Sequence, residues 1–554
     1  MQRTRALNFR SLFDPHFGLR NRLLPRWLFL RGLALIYFAA FYSLLFQIRG
    51  LIGPQGVEPA IQYLALVRGS LGSSRFWFAP TFLWVSSSNR ALMILCWLGI
   101  IASIAALVDA WPRLSFPVCF VCYLSFVAAA GDFSGYQSDG MLLEAGFLAL
   151  FLCPSGWRPG LGELTPPSRA AYFLLQWEWF RIYFESGAVK LLSGDQEWRH
   201  FTAMDDYYSN GPLPTWVGWY IQHLPHWFHA ATVVATLGLE LVLVLMLFLP
   251  RRWRLICFFI VTPWEIGVIL TANYTFLNYL VLLLGILLLD DRLLRRLIPE
   301  RLRRAHDPDG EDAGLDLLRE PAVLSITNLA SHTNAVASAP IRPRPKDSHL
   351  RAIGIAVPAV SLTLIAYVTT AQMIRMFVPE LPLPAAPIHM LDPFRIANRY
   401  GLFAVMTRGR YEIEFQGSND GQTWSPYPFR YKPQALNERP GIYAPYQPRF
   451  DWNLWFASLG DWQQNTLVPL TEERLLANDS DVLGLFRWNP FLAAPPKYVR
   501  AVLWQYWFTS MEQKRQTGDW WRRQRLGLYA PVLANGPDGK PAVVEWPPPL
   551  PPHN

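Results

Sequence analysis

Residues 171–192 read AYFLLQWEWFRIYFESGAVKLL. The run is apolar and long enough to cross a bilayer, for which a helix needs about 20 residues. It nevertheless carries Glu178, Arg181, Glu185 and Lys190. Each such charge costs at least about 2.5–3.5 kcal/mol at the bilayer centre on insertion scales. A helix keeps four of them only when they are paired, line a cavity or do chemical work. Glu178 and Arg181 are spaced i,i+3, and Arg181 and Glu185 i,i+4. The three share one face and predict a local charge ladder. Lys190 is turned off that ladder, close to a membrane boundary, and has no partner on its own helix.

The surrounding sequence predicts a multi-pass membrane protein with soluble parts. Of 554 residues, 52% are hydrophobic, 15% aromatic and only 16% charged. The net charge of +9 does not point to nucleic acid, because the arginines cluster beside apolar segments, as cytoplasmic loops require. The basic stretch before residue 28 leads into an apolar run too long for a signal peptide, and no small-residue cleavage site follows closely. Cys96, Cys119, Cys122, Cys153 and Cys257 all fall in or beside apolar segments, so no disulfide staples the C-terminal region. Cys119 and Cys122 form a C-x-x-C, a spacing used in redox and metal chemistry. Within a membrane helix, buried structural thiols are the simpler reading.

Nine spans are expected: 28–48, 91–109, 114–130, 141–153, 171–192, 229–249, 254–270, 274–290 and 350–374. With this count, the arginine-rich N-terminus, PRRWR and DDRLLRRLIPERLRR all fall on the cytoplasmic side, obeying the positive-inside rule. The shorter run 141–153 is retained because dropping it would put the two most basic loops outside. The division that follows is a basic cytoplasmic N-terminus (1–27), a helical bundle (28–292), a basic and disordered cytoplasmic linker (293–349), a last transmembrane helix (350–377), an extracytoplasmic β-rich domain (378–540) and a Pro-rich tail (541–554).

In the C-terminal region the period changes from helical to alternating. RYEIEFQ places Tyr411, Ile413 and Phe415 on one face of a half-buried strand. Asn419-Asp420-Gly421 is a turn signal, and AVLWQYWF is a further strand. Prolines at 426, 428, 433, 440, 445 and 448 exclude long helices there. A small β-sandwich with aromatic-rich insertions fits best. The aromatic segment around PYQPRFDWNLWFASLG predicts exposed apolar surface for a partner, with Trp424, Tyr446, Arg449, Asp451, Trp452 and Trp455 as candidates.

The loop after the charged helix holds Asp195, Trp198, His200, Asp205, Asp206, His223, His226 and His229 among many aromatics. His226 and His229 have the spacing of two metal ligands, but an aromatic belt capping the bundle explains them as well, and no metal is expected. The chain contains no H-E-x-x-H, paired C-x-x-C modules or G-x-S-x-G. Asp132, Asp139 and Glu144 lie between spans, and Glu240 and Glu265 are lone intramembrane carboxylates. Lys190 therefore has two readings. It is either a base of depressed pKa in a cavity, or a cation that snorkels or pairs with Asp195, Glu240 or Glu265. A transporter has little support, since the spans show no obvious internal repeat.

Several long blocks together resemble the lipase maturation factor family, from about residue 20 to about 530. They are RNRLLPRWLFLRGLALIYFAAFYSLLFQIRGLIG, FRIYFESGAVKLLSGDQEWRHFTAMDDYYSNGPLPT, LTANYTFLNYL, RYGLFAVMTRGRYEIEFQGSNDGQTW, YAPYQPRFDWNLWFASLG, NPFLAAPPKYVRAVLWQYWFT and GDWWRR. The resemblance implies a membrane-resident factor for folding or assembly of secreted lipases, met through the extracytoplasmic C-terminal domain. It implies membrane lipid and a lipase client as partners, no cofactor and no nucleic acid. The membrane would be that of the endoplasmic reticulum in a eukaryote and the plasma membrane in a bacterium. The sequons Asn273-Tyr274-Thr275 and Asn478-Asp479-Ser480 both fall on the predicted outer side. A shorter resemblance, SGAVKLLSGDQEW, is to the membrane relatives of vitamin K-dependent carboxylase. It implies that Lys190 would act as a base in a lipid- or quinone-accessible cavity, with Asp195 and Trp198 shaping it.

Overall fold

In the computed structural model, which describes residues 10–14, 17–297, 348–537 and 539–549, the apolar runs are helices and the alternating runs are strands. Most of the expected linker, 298–347, lies outside the described residues, as do residues 1–9 of the basic N-terminus. The bundle comprises α1 (Leu23–Leu45), α2 (Asn89–Leu107), α3 (Pro112–Val127), α4 (Gln137–Leu150), α5 (Arg169–Leu192), α6 (His226–Leu241), α7 (Arg251–Thr271), α8 (Leu277–Gly285) and α9 (Ser348–Phe377). Local chemistry sets the starts. Ser88 accepts from the Ala91 amide to cap α2, and Ser168 accepts from Ala171 to cap α5. Pro112 opens α3, where its missing N–H is no loss.

Among the described residues, five helices are long and apolar enough to cross a membrane: Arg20–Leu45, Asn89–Leu107, His226–Phe248, Arg251–Thr271 and Gly354–Phe377. They correspond to five of the nine expected spans. The other four differ for physical reasons. Pro112–Val127 and Leu277–Leu288 are apolar but short. The 14 residues of α4 reach only about 21 Å, less than a hydrocarbon core of about 30 Å. The 24 residues of α5 are long enough, but their charges set that helix apart. It lies inside the bundle, packed against α4, α6, α8 and α9. The outer helices are different. Only 17% of the residues in the apolar stretch of Arg251–Thr271 are buried, and 28% in that of His226–Phe248. These two turn apolar side chains outward, as a lipid-facing wall requires.

The C-terminal domain is one antiparallel sheet, not the expected sandwich. Its strands are β1 (Arg410–Ser418), β2 (Ser425–Pro426), β3 (Tyr498–Phe508), β4 (Trp521–Leu528), β5 (Val532–Asn535) and β6 (Pro541–Glu545). The order is β2-β1-β3-β5-β6, with β4 also on β3. Ile413 faces Leu503 and Phe415 faces Ala501 across the central pair. The second layer is helical: α10 (Arg449–Ser458) and α11 (Leu467–Leu476) cover the face of Ile413, Phe415 and Leu503. β1 is buried on both faces rather than one. Its polar face is kept by ion pairs, Arg410 with Glu412, Lys432 with Glu412 at 2.7 Å, and Arg523 with Glu414 at 3.1 Å. Part of the segment expected as a Pro-rich tail is the edge strand β6.

The predicted turn is present. Gly421 has φ +74°, and Asp420 accepts from the amides of Gln422 and Thr423 at 2.8 and 2.7 Å. Bundle and sheet share one apolar cluster, which includes Phe41 of α1, Leu175 of α5, Ile413 of β1 and Leu475 of α11.

Candidate functional site

The charges of α5 do not form the local ladder that their spacing predicts. Arg181 is fully buried and pairs with Glu144 of α4, not with Glu178 or Glu185. What lies along this face is a non-helical strap, residues 395–409, between the end of α9 and β1. Irregular backbone buried in a bundle must find partners for every N–H and C=O, or lose about 1–3 kcal/mol for each. The polar side chains of α4 and α5 supply them. Arg181 donates to the Asn398 carbonyl at 2.6 Å. Glu144 accepts from the Asn398 amide at 2.8 Å and the Tyr400 hydroxyl at 2.9 Å. Glu185 accepts from the Tyr400 amide at 2.7 Å, and Ser186 from the Leu402 amide at 3.2 Å. Glu178 accepts a longer bond from the Tyr400 hydroxyl at 3.4 Å.

The register continues past Lys190. Its ammonium donates to the Leu402 carbonyl at 3.1 Å, and to both oxygens of Glu240 on α6 at 2.9 and 2.8 Å. A further contact runs to the Ser186 carbonyl at 3.4 Å, and the cation lies 5.1 Å from the Trp198 ring. Gly187 makes the pair possible, since a Cβ there would meet the Cβ of Glu240 at 2.8 Å. Asp195 accepts from the Met406 amide at 2.7 Å, and the Trp198 indole donates to the Phe403 carbonyl at 3.0 Å. Lys190, Asp195 and Trp198 thus do come together, as parts of the strap's mooring.

Beyond Lys190 the packing opens. A cavity of about 340 Å³ lies between α5, α6, α7, α8 and the strap. Lys190 and Glu240 stand on its wall, as do Glu265, Tyr183 and Asn278; Arg181 and Glu185 do not. Glu265 accepts from the Tyr183 hydroxyl at 2.8 Å and from the Asn278 amide at 2.6 Å.

The histidines are dispersed. His223 bridges the carbonyls of Trp219 and Thr509 at 2.7 and 2.9 Å, and so ties the loop to the sheet. His226 is exposed and pairs with Asp205 at 3.0 Å, whereas His229 is buried against the Tyr208 ring. Among the described residues no cluster of three or more His, Cys, Asp or Glu is arranged to hold a metal. All five cysteines are buried free thiols.

The segment expected to expose an apolar partner surface is instead largely an internal seam. Arg449 is buried, and both of its terminal nitrogens meet Asp139 at 2.8 Å. The Tyr123 hydroxyl donates to the same carboxylate at 2.6 Å. Asp451 is buried and accepts from the Tyr431 and Lys432 amides, both at 3.2 Å. Burial raises its pKa to about 6, against the opposing charge of Lys432. Trp452 is buried against Tyr136. Tyr446 is half-buried and meets Gln47 at 3.0 Å, and Trp455 is half-buried beside Phe456. Trp424 is half-buried beneath the Arg500 guanidinium, at 3.9 Å. These segments sit where two apolar surfaces of one molecule meet, which sequence alone cannot distinguish from a surface awaiting a partner.

Asn273, the first sequon asparagine, is buried and forms another seam contact. It accepts from the Tyr443 amide at 2.7 Å and donates to the Gly441 carbonyl at 2.9 Å, so it is not available to a glycan.

The two halves joined by these contacts match two family models. Residues 24–296 match the lipase maturation factor transmembrane domain, and residues 396–531 match the lipase maturation factor C-terminal domain. The chain belongs to the lipase maturation factor family. It is 32% identical to lipase maturation factor 2 of Gallus gallus, over 92% of this chain and 82% of that protein. It is 32% identical to the human lipase maturation factor 2 over 93% of this chain and 83% of that protein, and 31% identical to lipase maturation factor 1 of Bos taurus over 92% and 89%. No solved structure matches the chain. In lipase maturation factor terms, the strap lies at the head of the C-terminal domain, and its receptors lie in the transmembrane domain. Asn398 and Tyr400 were not singled out by sequence reasoning. The available signal is their place at the start of the block RYGLFAVMTRGR, with Asn398 just before it and Tyr400 its second residue.

Proposed function

We propose that this protein is an integral membrane factor for the folding or assembly of a secreted lipase, with its N-terminus cytoplasmic and its C-terminal domain extracytoplasmic. The observation that carries the proposal is the match to both family domains, with relatives named lipase maturation factors. The basic loops on the N-terminal side support the orientation. A secreted client is met on the opposite side, by the C-terminal domain. The buried seam residues are not its contact points. Exposed apolar side chains of that domain are, among them Phe456, Trp488, Leu492 and Trp546, which are 47%, 59%, 86% and 66% exposed.

The test is co-expression with a secreted lipase in cells that lack their own maturation factor. Trp488→Asp with Leu492→Asp should reduce secreted lipase activity while the factor's amount and thermal melt stay unchanged. Full activity in such variants would remove this surface from the account. The runner-up, a membrane enzyme with Lys190 as base, needs an amine with a free lone pair. The contacts of Lys190 with Glu240, Leu402 and Ser186 are those of a committed ammonium, so they favour the noncatalytic reading.

A further inference from the structure

The cavity beside Lys190 is not needed to hold the strap, and the maturation role does not use it. Its volume, about 340 Å³, falls within the range of small-molecule pockets, about 300–1,000 Å³. Two of its walls, α6 and α7, are among the helices whose apolar stretches are mostly unburied. Bilayer lipid lying against these two helices therefore adjoins the cavity wall.

Charge narrows the choice. Lys190 is neutralised by Glu240, and its N–H groups are taken. Glu265 also faces the space, and its oxygens accept from Tyr183 and Asn278, with no basic side chain in ion-pair range among the described residues. An anionic head would meet two carboxylates and no free cation, in surroundings where charge is screened weakly. The remaining polar edge is uncharged: Tyr207, Tyr208 and Trp264 bring phenol and indole groups to it, and the threonines bring acceptors. The hydroxyls of Thr232 and Thr236 donate to the carbonyls of Phe228 and Thr232, both at 2.8 Å, which leaves their lone pairs for a ligand.

We infer that this cavity binds a neutral lipid whose small head carries a hydroxyl group, the hydroxyl donating to the oxygens on the cavity wall while the acyl chain lies between α6 and α7. This goes beyond the lipase maturation role and does not depend on it.

The test uses the full chain in lipid nanodiscs and a photoreactive, alkyne-tagged diacylglycerol. The same acyl chain is also presented as phosphatidic acid. Diacylglycerol should label peptides within 228–240 and 263–281 about tenfold more than phosphatidic acid, a difference of about 1.4 kcal/mol. Unlabelled diacylglycerol should compete in the unmodified protein.

Gly267 lines the cavity, and a Cβ there meets nothing within 4 Å. Gly267→Trp should remove most of the labelling with an unchanged thermal melt. Gly238, equally open but outside the cavity, gives the control: Gly238→Trp should leave labelling as it was. Glu265→Gln should retain diacylglycerol and admit more phosphatidic acid. Equal labelling by phosphatidic acid, labelling spread along the outer helix faces, absence of competition or indifference to Gly267→Trp would each overturn the inference.

Discussion

The two ends of α5 handle buried charge in opposite ways. Around Arg181 and Glu185 the space is filled, and each charge meets a backbone group of the strap or a charge on another helix. Around Lys190 the cation is equally committed, but the pair with Glu240 borders a cavity. The same helix therefore shows that charges inside a membrane bundle need not be catalytic to be retained. At one end they substitute for water around irregular backbone, which a bilayer cannot solvate. At the other they leave a polar rim beside lipid-facing helices.

Breaking the filled end should have the largest effect. Arg181→Met leaves Glu144 buried without its cation and the Asn398 carbonyl without a donor, at a cost of roughly 3–5 kcal/mol. A large drop in thermal midpoint in detergent, or loss of folded protein, is the expected outcome. Arg449→Met tests the second mooring, where Asp139 would lose its partner; the cost is about 3 kcal/mol, smaller because the Tyr123 hydroxyl still donates to that carboxylate. Lys190→Gln at the open end should cost less, roughly 1–3 kcal/mol, since Glu240 borders a cavity rather than packed protein and an amide can still donate. A midpoint shift for Lys190→Gln as large as that for Arg181→Met would erase the contrast between the two ends.

A last effect concerns pH and spreads over about two pH units. Asp451 titrates near 6 in the fold and near 3.9 when unfolded, so between these values the folded state binds more protons. Its contribution to stability is then full at low pH and is lost as pH rises through about 6, with a slope of at most about 1.4 kcal/mol per pH unit. Asp451→Asn should flatten the dependence of thermal midpoint on pH between about 4 and 6.

Local periodicity made much of this fold legible. The alternation of RYEIEFQ located β1, and the Asn-Asp-Gly signal located its turn, because both depend on neighbours in sequence. The ladder Glu178–Arg181–Glu185 was read from the same kind of spacing and was replaced, because the partner of Arg181 lies on α4. Helical spacing states which residues can meet; it does not state which meeting wins when a better-placed carboxylate arrives from elsewhere. Glu240 stood among the candidate partners of Lys190, but choosing it over Asp195 and Glu265 required the close approach at Gly187. Most of the aromatic segment at 445–460 turns inward, Phe456 excepted, for a related reason: an interface inside one molecule has the composition of one between two.

The central claim is that Glu144 of α4 and the charges of α5 hold the strap. Hydrogen–deuterium exchange of the amides of Asn398, Tyr400 and Leu402 in the full protein tests it most directly. These amides lie in irregular backbone, yet they should be protected like those of a buried helix, and Arg181→Met or Glu185→Gln should release them before α1 exchanges. Fast exchange of the three amides in the unmodified protein, or protection unchanged in both variants, would contradict the account.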